Sequence, residues 1–331
     1  MVISTGSTQL TTLKNFLQHS RFWKKLVRFK VSVPITTPIE PAAEVLHHLQ
    51  FTQLLPFKKG LEIQEKFVRA NLDFKQLQSK IKKQLAELQE EYPKSVLNPA
   101  EKEIIDNILA MKPNPMVLTF QFEPTYTGGK RIKKMITKNL IEQFETFQPT
   151  GKSEKTVLAP KFVQTERGGQ ITFHGPGQVV AYLILDLKAF KDFSAKRLIY
   201  TIEHAAMNTL KETKISDTLL NIETKLTENT GVWTIYDAKI ASIGIHVRRS
   251  ITSHGVSINV NTDLSYMNSF DLCGIHNGKH TSVQEQRLDL QADPEIIAIN
   301  FVKQLAKLLG INKIERTQVT KSDTLKKNNN K

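Results

Sequence analysis

Val179-Val180-Ala181-Tyr182-Leu183-Ile184-Leu185-Asp186-Leu187 is apolar at nearly every position. A strand with one wet face alternates apolar and polar residues, whereas a strand covered on both faces does not. The run therefore predicts an inner strand with layers on either side. Further strand patterns fall at 116–122, 157–165, 231–235, 239–248 and 250–261. Helical patterns lie between and before them. Residues 61–92 are rich in Lys, Glu and Gln, and Phe67, Leu77, Ile81, Leu85 and Leu88 suit one helical face. Pro93 and Pro99 interrupt that helix, and 100–111 predicts a short second one. Ser194 or Asp192 can cap a helix carrying Leu198, Ile202, Ala206 and Leu210. Asp293-Pro294 opens another with Ile297, Val302, Leu305 and Leu309, which Gly310 ends. This order has no strict βαβ rhythm. It predicts an α+β fold, a mixed or antiparallel sheet flanked by helices.

Outside this region, charge sets the boundaries. The 331 residues carry a formal net charge of +14, with 40% apolar and 24% charged residues, the balance of a soluble globular chain. Residues 1–39 contain no Asp or Glu, but hold Lys14, Arg21, Lys24, Lys25, Arg28 and Lys30 among many Ser and Thr. An acid-free, basic, hydroxylated start predicts a mitochondrial transit peptide over 1–37; a basic arm for polyanions is the alternative. A catalytic body is expected over 38–315, with a charged helical insertion at about 73–115. Residues 316–331 are polar, basic and Asn-rich, and predict a disordered tail. No run reaches the ~18 apolar residues of a membrane helix, so no membrane span is expected. The positive charge favours anionic partners, but no RRM, KH or zinc-knuckle signature supports nucleic acid.

The densest motif is Arg167-Gly168-Gly169-Gln170-Ile171-Thr172-Phe173-His174-Gly175-Pro176-Gly177-Gln178, which holds four of the 15 glycines. Glycine lets backbone approach a ligand. The run lacks the G-K-[ST] of a P-loop and the G-x-G-x-x-G of a dinucleotide site, so a binding loop and a tight turn both remain open. Alternation along 239–248 sets Lys239 on a face with Ala241, Ile243, Ile245 and Val247. A lysine there tends to be desolvated, which lowers its pKa and suits it as a base; the other reading is a strand-end lysine reaching water. Cys273 is the sole cysteine. That excludes an intrachain disulfide and any site built from several thiolates. Paired with a cation or a base, the thiol becomes a nucleophile able to form a thioester. Cys273, His276 and His280 have metal-ligand spacing but give only three ligands, so no metal is expected. A dyad of Cys273 with His174 or His254 stays open.

Together these motifs resemble the lipoyl(octanoyl) transferase family, the octanoyltransferases of lipoate biosynthesis. The resemblance rests on RGGQITFHGPGQ at 167–178, KIASIGIHVRR at 239–249, TSHGVSINVNTDLSYM at 252–267 and CGI at 273–275, with a weaker start at Gly60-Leu61-Glu62-Ile63-Gln64. It covers roughly residues 50–310. With the acid-free start it implies a fungal-type mitochondrial member, in the matrix. It implies the catalytic fold shared with biotin and lipoate ligases. Cys273 then takes the octanoyl group from octanoyl-acyl carrier protein as a thioester. A lysine of a lipoyl domain receives it, on 2-oxoacid dehydrogenases or the glycine cleavage H protein. Lys239 lowers the thiol pKa and moves protons. Residues Arg167 to His174 line the acyl pocket, with Ser242, Ile243 and Gly244 as a second wall and Gly255, Val256 and Ser257 as a third. No cofactor is implied. An ATP-dependent lipoate or biotin ligase on the same fold is the alternative. Residues 73–115, His276 and His280 depart from the family pattern.

Overall fold

The computed structural model describes residues 35–93, 97–149, 158–270 and 279–320. A 3-10 turn at Pro41–Glu44 leads into β1 (Val45–Leu55) and the long helix α1 (Phe57–Glu91); α2 (Pro99–Ala110) and β2 (Met116–Phe122) follow. Next come β3 (Thr125–Gly128), α3 (Lys138–Glu145), β4 (Lys161–Gln164), β5 (Ile171–His174) and β6 (Gln178–Ile184). After α4 (Ala195–Glu212) the strands are short: β7 (Lys214–Ile215), β8 (Thr218–Leu219), β9 (Thr224–Lys225) and β10 (Val232–Thr234). The long hairpin β11 (Ala238–Arg248) and β12 (Ile251–Asn259) is followed by α5 (Ser265–Asn268), β13 (Lys279–His280) and α6 (Val283–Gln286). Helix α7 (Pro294–Leu308) and β14 (Lys313–Val319) end the described chain.

Nine of these strands form one mixed sheet in the order β14-β1-β2-β6-β12-β11-β10-β9, with β13 added to β11. A second sheet, β4-β3-β5, stands beside it. The apolar run does what its composition requires, because β6 is buried at every position. Val179, Ala181 and Leu183 enter the core under α4 and α7, while Val180, Tyr182 and Ile184 enter a second core with Phe120, Phe122, Phe57 and Val68. A third core fills the second sheet with Tyr126, Phe144, Ile171 and Phe173. Ser194 is the residue that caps α4, by accepting a hydrogen bond from the Arg197 N–H, and Asp293 caps α7. Among the described residues no helix is long and apolar enough to cross a membrane.

Two boundaries differ from the sequence reading. The tail expected from 316 is still strand as far as Val319, since β14 pairs in parallel with β1 from Val45↔Lys313 to Phe51↔Val319. Its exposed, charged residues hide it from a periodicity argument, as befits an edge strand. At the other end, Thr36 already belongs to the folded body: it is buried, its N–H donates to Leu308 O and its hydroxyl to Lys191 O. The stretch expected to be a transit peptide is otherwise outside the described residues. The insertion is not a separate unit. Its first part is the outer stretch of α1, whose inner turns bury Phe57, Gly60, Gln64 and Val68. The amide of Gln78 ties α1 to the end of α2 by donating to Leu109 O and Met111 O.

Candidate active site

A cavity of about 220 Å³ lies on the sheet face that carries Val180 and Tyr182. The register explains how distant segments meet there. Gly244 pairs with Gly255, which pairs with Tyr182; Ser242 pairs with Ser257, which pairs with Val180. Of the expected residues, Arg167, Gly168, Gly169, Gln170, Thr172, His174, Ser242, Ile243, Gly244, Gly255, Val256 and Ser257 all line the cavity. Ile171 and Phe173 do not. They belong to the third core, where Phe173 stacks on Tyr266 with ring centroids 4.5 Å apart. Residues 171–174 are a strand, so its two-residue period sends Thr172 and His174 one way and their neighbours the other. Sequence reasoning missed Phe57, Arg131, Val180, Tyr182, Ile199 and residues 228–230 as lining. The alternation of Val180 and Tyr182 was readable, but which face holds the cavity was not.

The Gly-rich loop is fastened down on both sides. Gly168 N–H donates to Ile245 O at 3.0 Å. The Arg167 guanidinium, buried, donates to Thr127 O at 2.7 Å and to the Thr127 hydroxyl at 2.8 Å. Gln178 orients His174. Its amide NH₂ donates to Phe173 O and Asn259 Oδ1, so its Oε1 is the acceptor and His174 Nδ1 is the donor, at 2.8 Å. Neutral His174 thus keeps Nε2 as an acceptor. Burial, with the Arg167 charge second, pushes the His174 pKa down to about 3. His254 is pushed down to about 3 by the same two causes, with smaller contributions from neighbouring cationic groups. Tyr182 lies edge-on to His254 at 5.6 Å, its buried hydroxyl has no hydrogen-bond partner among the described residues, and burial raises its pKa.

These neutral histidines couple stability to pH. His174 and His254 near 3, and His48 near 4 through burial and then Arg316, all sit below the ordinary 6.5. Between these values the unfolded chain binds protons that the folded chain refuses, so stability falls as pH falls. Above pH 6.5 the contribution is fully present; it is lost progressively toward pH 3–4. Each histidine costs about 1 kcal/mol by pH 5.5. Thermal melts at pH 7.5 and 5.5 are expected to show a clear drop. Replacing His174 with Gln should shrink that drop, and an unchanged difference would count against this origin.

Lys239 is held with equal care. It is 4% exposed, and its Nζ stands 5.2 Å from the centroid of the Trp233 ring. Trp233 is its partner on β10, and His280 its partner on β13. Gly231 sits where only glycine fits, because its φ is +129° and a Cβ would come within 2.6 Å of the backbone oxygen of Ala241 as well as of Lys239 Cε. Of the expected apolar face, Ala241 is in the core and Ile243, Ile245 and Val247 pack against it, but Ile240 enters the same core and the pairing with β10 shifts register between Lys239 and Ala241, so strict alternation does not run through to Lys239. Cys273 and His276 lie outside the described residues. The residues flanking that segment are well seated: Phe270 packs edge-on against Tyr126 and Phe144, and Asn268 clamps the backbone of His280 in both directions. Among the described residues no cluster of three metal-ligating side chains occurs.

The lipoyl protein ligase A/B catalytic domain matches residues 99–287. The mitochondrial octanoyltransferase of Saccharomyces cerevisiae is 57% identical over 89% of this chain and 90% of its own length. The chain belongs to the octanoyltransferase family. The mitochondrial octanoyltransferase of Kluyveromyces lactis is 56% identical over 88% of this chain and 90% of its own length. A more distant octanoyltransferase, the octanoyl-[acyl-carrier-protein]:protein N-octanoyltransferase of Danio rerio, is 35% identical over 55% of this chain and 71% of its own length. This octanoyltransferase is therefore an acyltransferase and a mitochondrial protein. The domain match takes in the Gly-rich loop, Lys239 and Cys273, but leaves out β1, α1 and Phe57.

Proposed function

We propose that the protein transfers an octanoyl group from octanoyl-acyl carrier protein to a lysine of lipoyl domains, those of 2-oxoacid dehydrogenases and the glycine cleavage H protein, in the mitochondrial matrix. The observation that carries this reading is the buried Lys239 side chain in the lining of a cavity built in part from the Gly-rich loop. The strand that follows Cys273 in sequence is hydrogen-bonded to Lys239 itself, through Thr281 N–H to Lys239 O at 3.0 Å. The Danio relative's name supplies the donor class.

In the first half-reaction Lys239, as the uncharged amine, takes the proton of the Cys273 thiol. The thiolate attacks the carbonyl carbon of the donor thioester, and a new C–S bond forms. The carrier C–S bond breaks, and the leaving thiolate takes the proton back from Lys239. In the second half-reaction the acceptor lysine amine attacks the acyl-Cys273 carbonyl. The C–N bond forms, Cys273 leaves as thiolate, and the proton released from nitrogen returns through Lys239 to the thiol. Backbone N–H groups of the Gly-rich loop are suited to receive the transient oxyanion. The pocket residues Arg167, Thr172, His174, Ser242, Gly255 and Ser257 hold the acyl chain.

Intact mass tests this directly. Mixing the protein with octanoyl-acyl carrier protein, without ATP, is expected to add one octanoyl group to the chain. An acylated product that appears only with ATP and free octanoate would instead make the protein a ligase.

A further inference from the structure

One of the residues lining the cavity comes from outside the matched catalytic domain. Phe57, the first residue of α1, is 3% exposed and lines the cavity. Its ring stacks on His174 with centroids 5.1 Å apart and stands edge-on to Phe122 at 4.9 Å. Gly60, one turn along α1, allows this approach, because a Cβ there would strike the Phe122 ring at 2.4 Å. The helix is therefore set down on the sheet so that Phe57 fills the space between His174 and Phe122. Tyr182 and His254 line the same cavity as a second ring pair, at 5.6 Å.

The Phe57 ring is part of the wall of a cavity of only about 220 Å³. Each methylene added to an acyl chain needs further space, and a wall of stacked, close-packed rings gives way only at a cost. Truncating Phe57 removes its ring from that wall and leaves the space to a longer chain.

We infer that Phe57 is the residue that sets the upper limit of acyl chain length, a specificity function supplied to the catalytic domain by the N-terminal helix. The inference rests on the acyl-transfer reading of the cavity. It assigns to α1 a part in substrate choice as well as in covering the sheet.

The test is competition between octanoyl- and dodecanoyl-acyl carrier protein, read as the ratio of their kcat/KM values. A ratio measured within one enzyme is insensitive to the fraction that is folded, so partial destabilisation by the substitution does not affect it. A misfit of one methylene is worth about 10- to 200-fold in such a ratio. Phe57→Ala is expected to raise the dodecanoyl-to-octanoyl ratio at least about 10-fold. Phe57→Leu, which keeps more of the core, should move it in the same direction by a smaller factor and carries the test if the alanine variant does not fold. Ratios within about twofold of wild type in the folded variants overturn the inference. If wild type accepts no octanoyl group at all, the acyl-transfer reading itself fails, and that failure is seen before any variant is made.

Discussion

Cys273→Ala is expected to abolish octanoyl transfer, by at least about 10³-fold, and with it any covalent acyl-enzyme. The size of the effect follows from the chain's composition. There is one cysteine in 331 residues, so no second thiol can receive the group. A serine at the position keeps a hydroxyl but not a readily ionised nucleophile, because the thiolate is what attacks. Cys273→Ser should therefore be nearly as inactive as alanine. Intact mass after mixing with octanoyl-acyl carrier protein gives the reading: one octanoyl added to wild type, none to either variant. A thermal melt on each variant separates lost chemistry from lost folding. Full-yield acylation of the alanine variant would remove Cys273 from the mechanism.

Much of this site could be read from the sequence, for reasons tied to particular residues. The uninterrupted apolar run marked β6 as the inner strand, and β6 is buried on both faces because cores lie against both. Ser194 and Asp293 announced their helices through local capping chemistry, which needs no tertiary contact. The pocket walls came from motifs whose residues are local in sequence. What stayed hidden is long-range. Phe57 and Tyr182 are brought to the cavity by sheet register and by the seating of α1, which sequence periodicity does not encode. Ile171 and Phe173 were assigned to the pocket because a motif was read as a block, whereas a strand divides its residues between two faces. Strand β14 looked like a tail because an exposed edge needs no apolar alternation, and its stability comes from parallel pairing with β1.

Lys239→Ala is expected to slow acylation by about 10²- to 10⁴-fold at neutral pH, the range for loss of a positioned acid–base group. Trp233 and His280 flank Lys239 on neighbouring strands, and Gly231 clears the space for its stem. The pH dependence separates a proton-transfer role from a packing role. Without Lys239 the Cys273 thiol must ionise unaided, and with an ordinary pKa near 8.5 it is about 3% thiolate at pH 7 and about 75% at pH 9. The alanine variant's acylation rate should therefore climb about 25-fold between those values, while wild type climbs much less. Lys239→Arg sharpens the distinction, because arginine supplies positive charge but does not give up its proton. It should recover part of the acylation rate by favouring the thiolate, yet remain slow in turnover, where the proton released from the acceptor amine has to be taken up. Parallel pH profiles for wild type and Lys239→Ala would mean that Lys239 only fills space beside Trp233.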